Sequence, residues 1–558
     1  MYASKRATPK PRKSELKQYI APVQGWIANR ALADARSLEG PGAAILDNFV
    51  PQQTGVKLRR GKARYATLVE HDLPVISLFT YHNGNNRRLF AGNANTVYDI
   101  TTVPWPFDAE IVTENEDLIV TGTGDWFGLS STAGLEVITG TTGGDWVTTQ
   151  FATTGGVFLV GVNGTDVGFI YDGVAFAALD GITFALTGLT TADMSFVWAY
   201  KNRLWFIQKD SLSAWYLEVD SIAGEATEFP MGGVFNDGGA LLFGQKWSME
   251  TSGDGGLSEQ NTFTTTLGEV AVYQGSNPDD ASDWQKVGVY RIGTPLGKHA
   301  WIRGGGDLVI CTTVGLVPLS KAISLEVTAL SVATVSYKIA DAWSMALANR
   351  GPVNWQAHIW AEGKMALIGP PDIVGGSNPA VFVSNTDDGT WCRFTNWMAH
   401  SFATFEGLLY FGSSDGKVFV GNVSGQDDGE PYTGIVIPLH EDLGAPASSK
   451  IGTVARARVR AKAVVDDQIT TLVDYDVTPP AAPNASVLTD LNVWGTGIWG
   501  TSKWGELTPN VIVQPWRSIG GIGYSMSVCY QVTSGSIAPI DVEVIDFQML
   551  YNTTEQLG

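Results

Sequence analysis

Seven short apolar runs recur along the chain, most of them ending in Gly or opening onto a turn: Leu89-Phe-Ala-Gly92, Phe158-Leu-Val-Gly161, Leu204-Trp-Phe-Ile207, Val270-Ala-Val-Tyr273, Leu308-Val-Ile-Cys311, Ala366-Leu-Ile-Gly369 and Leu409-Tyr-Phe-Gly412. Their fourth residues lie 69, 46, 66, 38, 58 and 43 positions apart, a mean near 53. That is close to the roughly 40–50 residues of a four-stranded propeller blade. One blade cannot bury its own faces, so such a repeat makes a core only as a closed ring. The pattern predicts a mainly β protein with a β-propeller over residues 76–425. An eighth apolar run, Leu118-Ile-Val-Thr-Gly122, falls in the longest interval and leaves six or seven blades open. The regular signature of a WD or kelch repeat is missing, so spacing and pattern carry this reading.

Turn signals at Asn83-Gly84, Asp172-Gly173, Asp388-Gly389 and Asp415-Gly416 predict hairpins between these runs. A single helix is expected over Tyr337 to Arg350, where Ile339, Trp343, Ala346 and Leu347 share a face and Gly351-Pro352 stops it. Two flanking stretches differ in texture. Residues 1–24 are basic and broken by Pro, which predicts a flexible arm carrying Lys5, Arg6, Lys10, Arg12 and Lys13. Residues 25–75 hold the alternating Gly55-Val-Lys-Leu-Arg-Arg-Gly61, a half-buried strand with Val56 and Leu58 inward and Lys57 and Arg59 outward. Residues 426–558 predict a second β-rich platform domain. In it Arg456, Arg458, Arg460 and Lys462 line one strand face, with Ala455, Ala457, Val459 and Ala461 on the other. Trp494, Trp499 and Trp504 recur every five residues, a spacing neither helical nor strand-like.

Charge modifies this picture. The chain of 558 residues carries a net −20, yet residues 1–64 carry +9, leaving −29 for the rest. An acidic body argues against a generic nucleic-acid-binding surface, though not against a conduit through which a polyanion slides. Nineteen Trp suggest large packed or inter-subunit surfaces. Cys311, Cys392 and Cys529 have no metal or redox spacing and read as buried thiols, consistent with folding in a reducing cytoplasm. The N-terminal segment lacks an export-signal core, and no run of 18 apolar residues predicts a membrane span.

A search for catalysis yields little. There is no phosphate-binding GxxxxGK[ST] loop, and Gly253-Asp-Gly-Gly256 lacks a basic residue. The six histidines are isolated, without metal-ligand spacing. Gly412-Ser-Ser-Asp-Gly416 matches GxSxG, but Asp415-Gly416 opens onto a strand, where a nucleophile elbow needs a helix. Asn385-Thr-Asp-Asp-Gly-Thr-Trp391 resembles the Asp-box of sialidase propellers, one residue short, and Asp387 and Asp388 read as turn residues. No enzyme, cofactor or metal is expected. The basic strand is either a face balanced by Asp466, Asp467, Asp474 and Asp476 or an interface, and the three Trp either pack locally or meet another surface.

Several segments resemble the tail nozzle (tail tubular, or packaged-DNA stabilisation) proteins of short-tailed bacteriophages. These are Leu46-Asp-Asn-Phe-Val-Pro-Gln-Gln-Thr-Gly-Val-Lys-Leu-Arg-Arg-Gly61, Val270-Ala-Val-Tyr-Gln-Gly-Ser-Asn-Pro-Asp279, Val287 to Gly297, Asp307 to Ser320, and the Trp-Gly repeat at 494–505. The resemblance spans roughly residues 40–550, and the order of the segments is more specific than any one of them. It implies a homo-hexameric ring in the virion tail, made in the host cytoplasm. Such a ring extends the DNA channel below portal and adaptor, helps retain packaged DNA and conducts it during ejection. Implied partners are the tail adaptor, tail fibre or plug proteins, and double-stranded DNA in passage. Trp494, Trp499, Trp504 and the basic strand become candidates for the subunit or adaptor interface, and the basic arm for docking on an acidic neighbour. The rival expectation is a secreted carbohydrate-binding or glycoside-cleaving propeller.

Overall fold

The computed structural model describes residues 14–30, 40–70, 72–101, 135–249, 258–372, 380–461, 465–486 and 510–554. Two compact units emerge. One gathers residues 1–61, 390–394 and 424–558, the other residues 62–389 and 395–423. The boundary thus falls at 61/62 inside the expected 25–75 segment, and residues 390–394 and 424–425 of the expected propeller span join the first unit.

The larger unit is a β-propeller built from antiparallel meanders. In chain order the first blade is Ser77–Asn83, Asn86–Gly92, Thr96–Asp99 and Leu135–Thr139. The second is Val147–Thr153, Gly156–Val162, Phe169–Tyr171 and Phe176–Ala178. The third is Met194–Tyr200, Arg203–Gln208, Ser213–Tyr216 and Thr227–Pro230. The fourth is Leu241–Met249, Ser258–Thr265, Glu269–Gln274 and Gln285–Arg291. The fifth has three strands, Trp301–Gly304, Asp307–Thr312 and Gly315–Pro318. The last is Ser401–Phe405, Leu408–Gly412 and Lys417–Ser424, completed by Gly61–Thr67 from the start of the chain. These six are self-contained sheets. A further meander, Gln356–Trp360, Met365–Gly369 and Ala380–Asn385, stands between the fifth and the last. The blades pack side by side in chain order, and the innermost strand of the last lies against that of the first, which closes the ring. Of the expected six or seven blades, the strand order among the described residues therefore gives six separate sheets, one of them three-stranded, plus this further meander.

Each of the seven apolar runs lies in a different one of these meanders. They read as continuous hydrophobic stretches because a strand with neighbouring blades on both faces has no solvent side; Leu204 to Ile207 are all fully buried. The Gly that ends several of them answers to crowding. A Cβ on Gly92 would stand 2.5 Å from Ser77 Oγ, on Gly161 2.3 Å from the Phe169 ring, and on Gly412 2.6 Å from Val75. The four predicted hairpin signals all sit at turns. The predicted helix is a 3₁₀ turn at Tyr337–Ile339 running into Ala340–Arg350, with Ile339, Trp343 and Ala346 buried. Trp343 Nε1 donates to the Thr312 carbonyl at 3.0 Å, which ties the helix to the fifth blade. The run at Leu118 lies outside the described residues.

The smaller unit is two antiparallel sheets face to face. One centres on Lys450–Ala461 and Glu543–Thr553, the other on Tyr432–Pro438, Met526–Ser534 and Asp467–Val473. Between them Tyr530 and Phe547 meet at 5.4 Å. Only residues from 14 onward of the expected flexible arm are described. There Glu15–Ile20 is a strand, in register with Asp546 to Tyr551, because Tyr19 completes the core row beside Phe547. Lys17 also pairs with Glu441. Any arm is therefore shorter than residues 1–24.

Candidate interface: the basic strand and its surroundings

Alternation along Lys450–Ala461 is as the sequence predicts. Ala455, Ala457, Val459 and Ala461 are fully buried, and Arg456, Arg458 and Arg460 share the opposite, half-buried face. Their neutralisation was not legible. None of the three turns to Asp466, Asp467, Asp474 or Asp476; the partners lie on the adjacent strand, with Arg456 opposite Gln548, Arg458 opposite Asp546 and Arg460 opposite Glu543. Arg456 Nε donates to Gln548 Oε1 at 2.8 Å, and its guanidinium lies 4.4 Å from the Trp516 ring centroid. Arg458 Nε donates to both Asp546 oxygens, at 2.8 and 2.9 Å, and its Nη2 closes the fork. Gln18 Nε2 adds a donor to Asp546 at 2.7 Å. Arg460 pairs with Glu543, which also accepts from Thr54 Oγ1 at 2.7 Å. Hydrogen bonding and charge from Asp546 push Arg458 above its ordinary range.

A same-face row of cations would repel itself unless neutralised, and repulsion was the reason to expect a partner subunit there. The chain itself supplies carboxylates for Arg458 and Arg460, while Arg456 is held by a neutral amide and an aromatic ring, so repulsion along the described part of the row is relieved without a partner subunit. What the face presents is a mixed surface: the paired row, then exposed Leu16 and Ile20 on one flank and Val511, Val513 and Trp516 on the other. Lys462, Trp494, Trp499, Trp504, Lys5, Arg6, Lys10, Arg12 and Lys13 lie outside the described residues.

Sequence reasoning missed two internal clamps in the smaller unit. Arg59 was expected outward. The strand Val56–Leu58 ends before it, and its side chain turns in, fully buried. There Nη1 and Nη2 donate to Asp427 at 2.9 and 2.6 Å, Nε donates to Asn48 Oδ1 at 2.8 Å, and the guanidinium stacks 4.2 Å from the Tyr432 ring centroid. Arg393 likewise forks onto Asp47 at 2.8 and 2.6 Å beneath Trp26. The signal available was an Arg immediately after an alternating apolar pair, within a segment that resembles a family motif.

The other resembling segments also fasten the fold. In the loop after Glu269–Gln274, Asp283 accepts the Ser276 and Asn277 amides at 2.7 Å each, and these bonds pull its carboxyl below the usual range. Asp307 accepts Trp247 Nε1 at 2.9 Å and the Ser320 hydroxyl at 2.5 Å.

The weak catalytic matches resolve as structure. Ser414 lies in the hairpin between Leu408–Gly412 and Lys417–Ser424, its hydroxyl 3.3 Å from Met398 Sδ. Asp387 pairs with Lys364 at 2.7 Å and receives no acid partner in the described contacts. His358, pushed down to about 4 by burial, bonds Thr404 at 2.8 Å between neighbouring inner strands. Among the described residues no His, Cys, Asp and Glu cluster has metal-site geometry, and no helix is long and apolar enough to cross a membrane.

No family model and no curated protein matches the chain. Solved structures that it resembles include the computationally designed Ika8 protein (11% identity, 65% of this chain and 100% of that one, TM-score 0.33). BBS1N, solved in complex with ARL6DN, is 9% identical over 66% and 97%, at 0.33. The β-propeller domain of Cps50 (Swd1) from Myceliophteria thermophila is 10% identical over 66% and 100%, at 0.32. No function passes along likenesses this remote, and the fold rests on the strand order.

Proposed function

We propose that this chain is a structural component of a short-tailed phage tail: a nozzle subunit that assembles into a six-fold ring below portal and adaptor and conducts DNA during ejection. One observation carries the reading. The resembling segments occur in the family's order, and three of the four that are described coincide with fastening points: the Arg59 clamp, the Asp283-capped loop and the Asp307 hub. Segments kept for architecture suit a wall that bears load. The charge balance is consistent, because an acidic body of −29 limits tight binding of passing phosphates, each of which would add counterion-release affinity. Tail adaptor, fibre or plug proteins are the proposed partners, and the virion tail the proposed location.

The test is imaging of the purified full-length protein by electron microscopy, alone and with the tail adaptor, alongside mass measurement in solution. A hollow six-fold ring, formed alone or on the adaptor, is the expected result. A monomer under both conditions that binds glycans on an array would replace this reading with the carbohydrate-active propeller.

A further inference from the structure

The other blade-to-blade polar bonds among the described residues join neighbours, for example Asn86 to Gly173, Lys209 to Gly164 and Arg203 to Asn277. One cluster does not. Asp145 lies two residues before Val147, where the innermost strand of the second blade begins. Lys298 and His299 stand just before Trp301, where the innermost strand of the fifth begins. His299 Nε2 is 2.8 Å from Asp145 Oδ1, Lys298 Nζ is 3.1 Å from Oδ2, and Lys298 Nζ also donates to the Asp145 main-chain carbonyl at 2.7 Å. Two blades separate these partners one way round the ring, and the further meander with the last and first blades the other. Groups that open two nonadjacent innermost strands can touch only across the mouth of the central channel.

We propose that Asp145, Lys298 and His299 form a clasp that bars this mouth and braces the second blade directly against the fifth. Its two ion pairs, Asp145 with Lys298 and with His299, join blades that are not neighbours. Its parts are seated for the task. Lys298 is only 13% exposed and has two oxygens of one residue to hold it. The main chain at His299 is fixed by the Ala357 amide at 3.1 Å, which couples the clasp to the next meander. Trp146, beside Asp145, is buried against Phe169 at 5.0 Å, so the carboxylate is carried on a packed element. Burial alone would raise Asp145, but the facing His299 and Lys298 outweigh it and hold the carboxyl below its ordinary range, so the carboxylate stays charged at neutral pH. A ring of blades otherwise held only by successive neighbours gains from this clasp a direct link across its diameter. The inference does not depend on the proposed tail function.

The test is amide hydrogen exchange read by mass spectrometry on the full chain, for the wild type, Asp145→Asn, Lys298→Met and the double variant. Each single change is expected to speed exchange at least five-fold in both Val147–Thr153 and Trp301–Gly304, and the double variant is expected to be no faster than the faster single. Acceleration confined to the substituted blade, no acceleration, or effects that multiply in the double variant would each overturn the clasp. Should Asp145→Asn not fold, Lys298→Met alone must still speed exchange in the second blade, and its failure to do so is equally decisive.

Discussion

Single side chains in this molecule are tuned mainly by burial, and Asp467 makes that measurable. Burial pushes its carboxyl up to about 6 against the opposing pull of Arg517, whose Nη2 donates to it at 2.7 Å. A folded value above the ordinary carboxyl range of about 4 means the folded state holds the proton more tightly than the unfolded one. The stabilisation from that proton is complete below about pH 4 and is lost as pH rises through about 6. Asp467→Asn should therefore gain thermal stability relative to the wild type between pH 4 and pH 7, by roughly 2–3 kcal/mol at most; a difference that stays flat with pH would sink this assignment. Asp427 acts as a structural counter-ion. Its carboxylate answers a fully buried guanidinium, and Asp427→Ala removes one partner of a buried ion pair, at a cost of about 3–5 kcal/mol. Urea titration should show the midpoint of the affected transition falling accordingly, and a change under about 1 kcal/mol would remove Arg59 from its role as a clamp.

At the level of strands and blades, the recurring Gly is a packing device. Gly161→Ala forces a methyl to within 2.3 Å of the Phe169 ring and should cost about 1–3 kcal/mol. Gly233→Ala, with nothing within 4 Å, serves as the neutral control, and equal thermal midpoints for the two variants would refute the crowding argument. This is the scale at which the sequence was most readable. The seven apolar runs mark seven meanders because burial on both faces writes itself into sequence as unbroken hydrophobicity. The Asn-Gly and Asp-Gly turns and the Gly351 stop were local signals and were read directly. What escaped was non-local. Arg458 meets Asp546 across 88 positions and Arg59 meets Asp427 across 368, separations at which no spacing rule operates. The strand Glu15–Ile20 was masked by its own composition, since its outer face is polar and apolar by turns and only Tyr19 is buried.

For the whole molecule, the division of charge is the feature that bears on assembly. Residues 1–64 carry +9, and six of those cations lie at or before position 17. With the core strand beginning at Glu15, residues 2–13 hold Lys5, Arg6, Lys10, Arg12 and Lys13 and can be removed without cutting a described element. The remainder, at −29, is the kind of surface such a segment would find on a neighbouring copy, and an acidic adaptor would offer the same. Under the proposed function, deleting residues 2–13 should therefore weaken attachment to the adaptor or to adjacent subunits at low salt. The advantage of the intact chain should shrink as ionic strength rises, because exposed charges are screened within about 10 Å at 0.1 M. Co-sedimentation of the two forms with the adaptor ring across a salt series reads both effects together. Equal attachment at every salt concentration would show that the basic segment plays no part in docking. A deficit that persists undiminished at high salt would instead assign its contribution to apolar contacts, against the electrostatic reading that its composition supports.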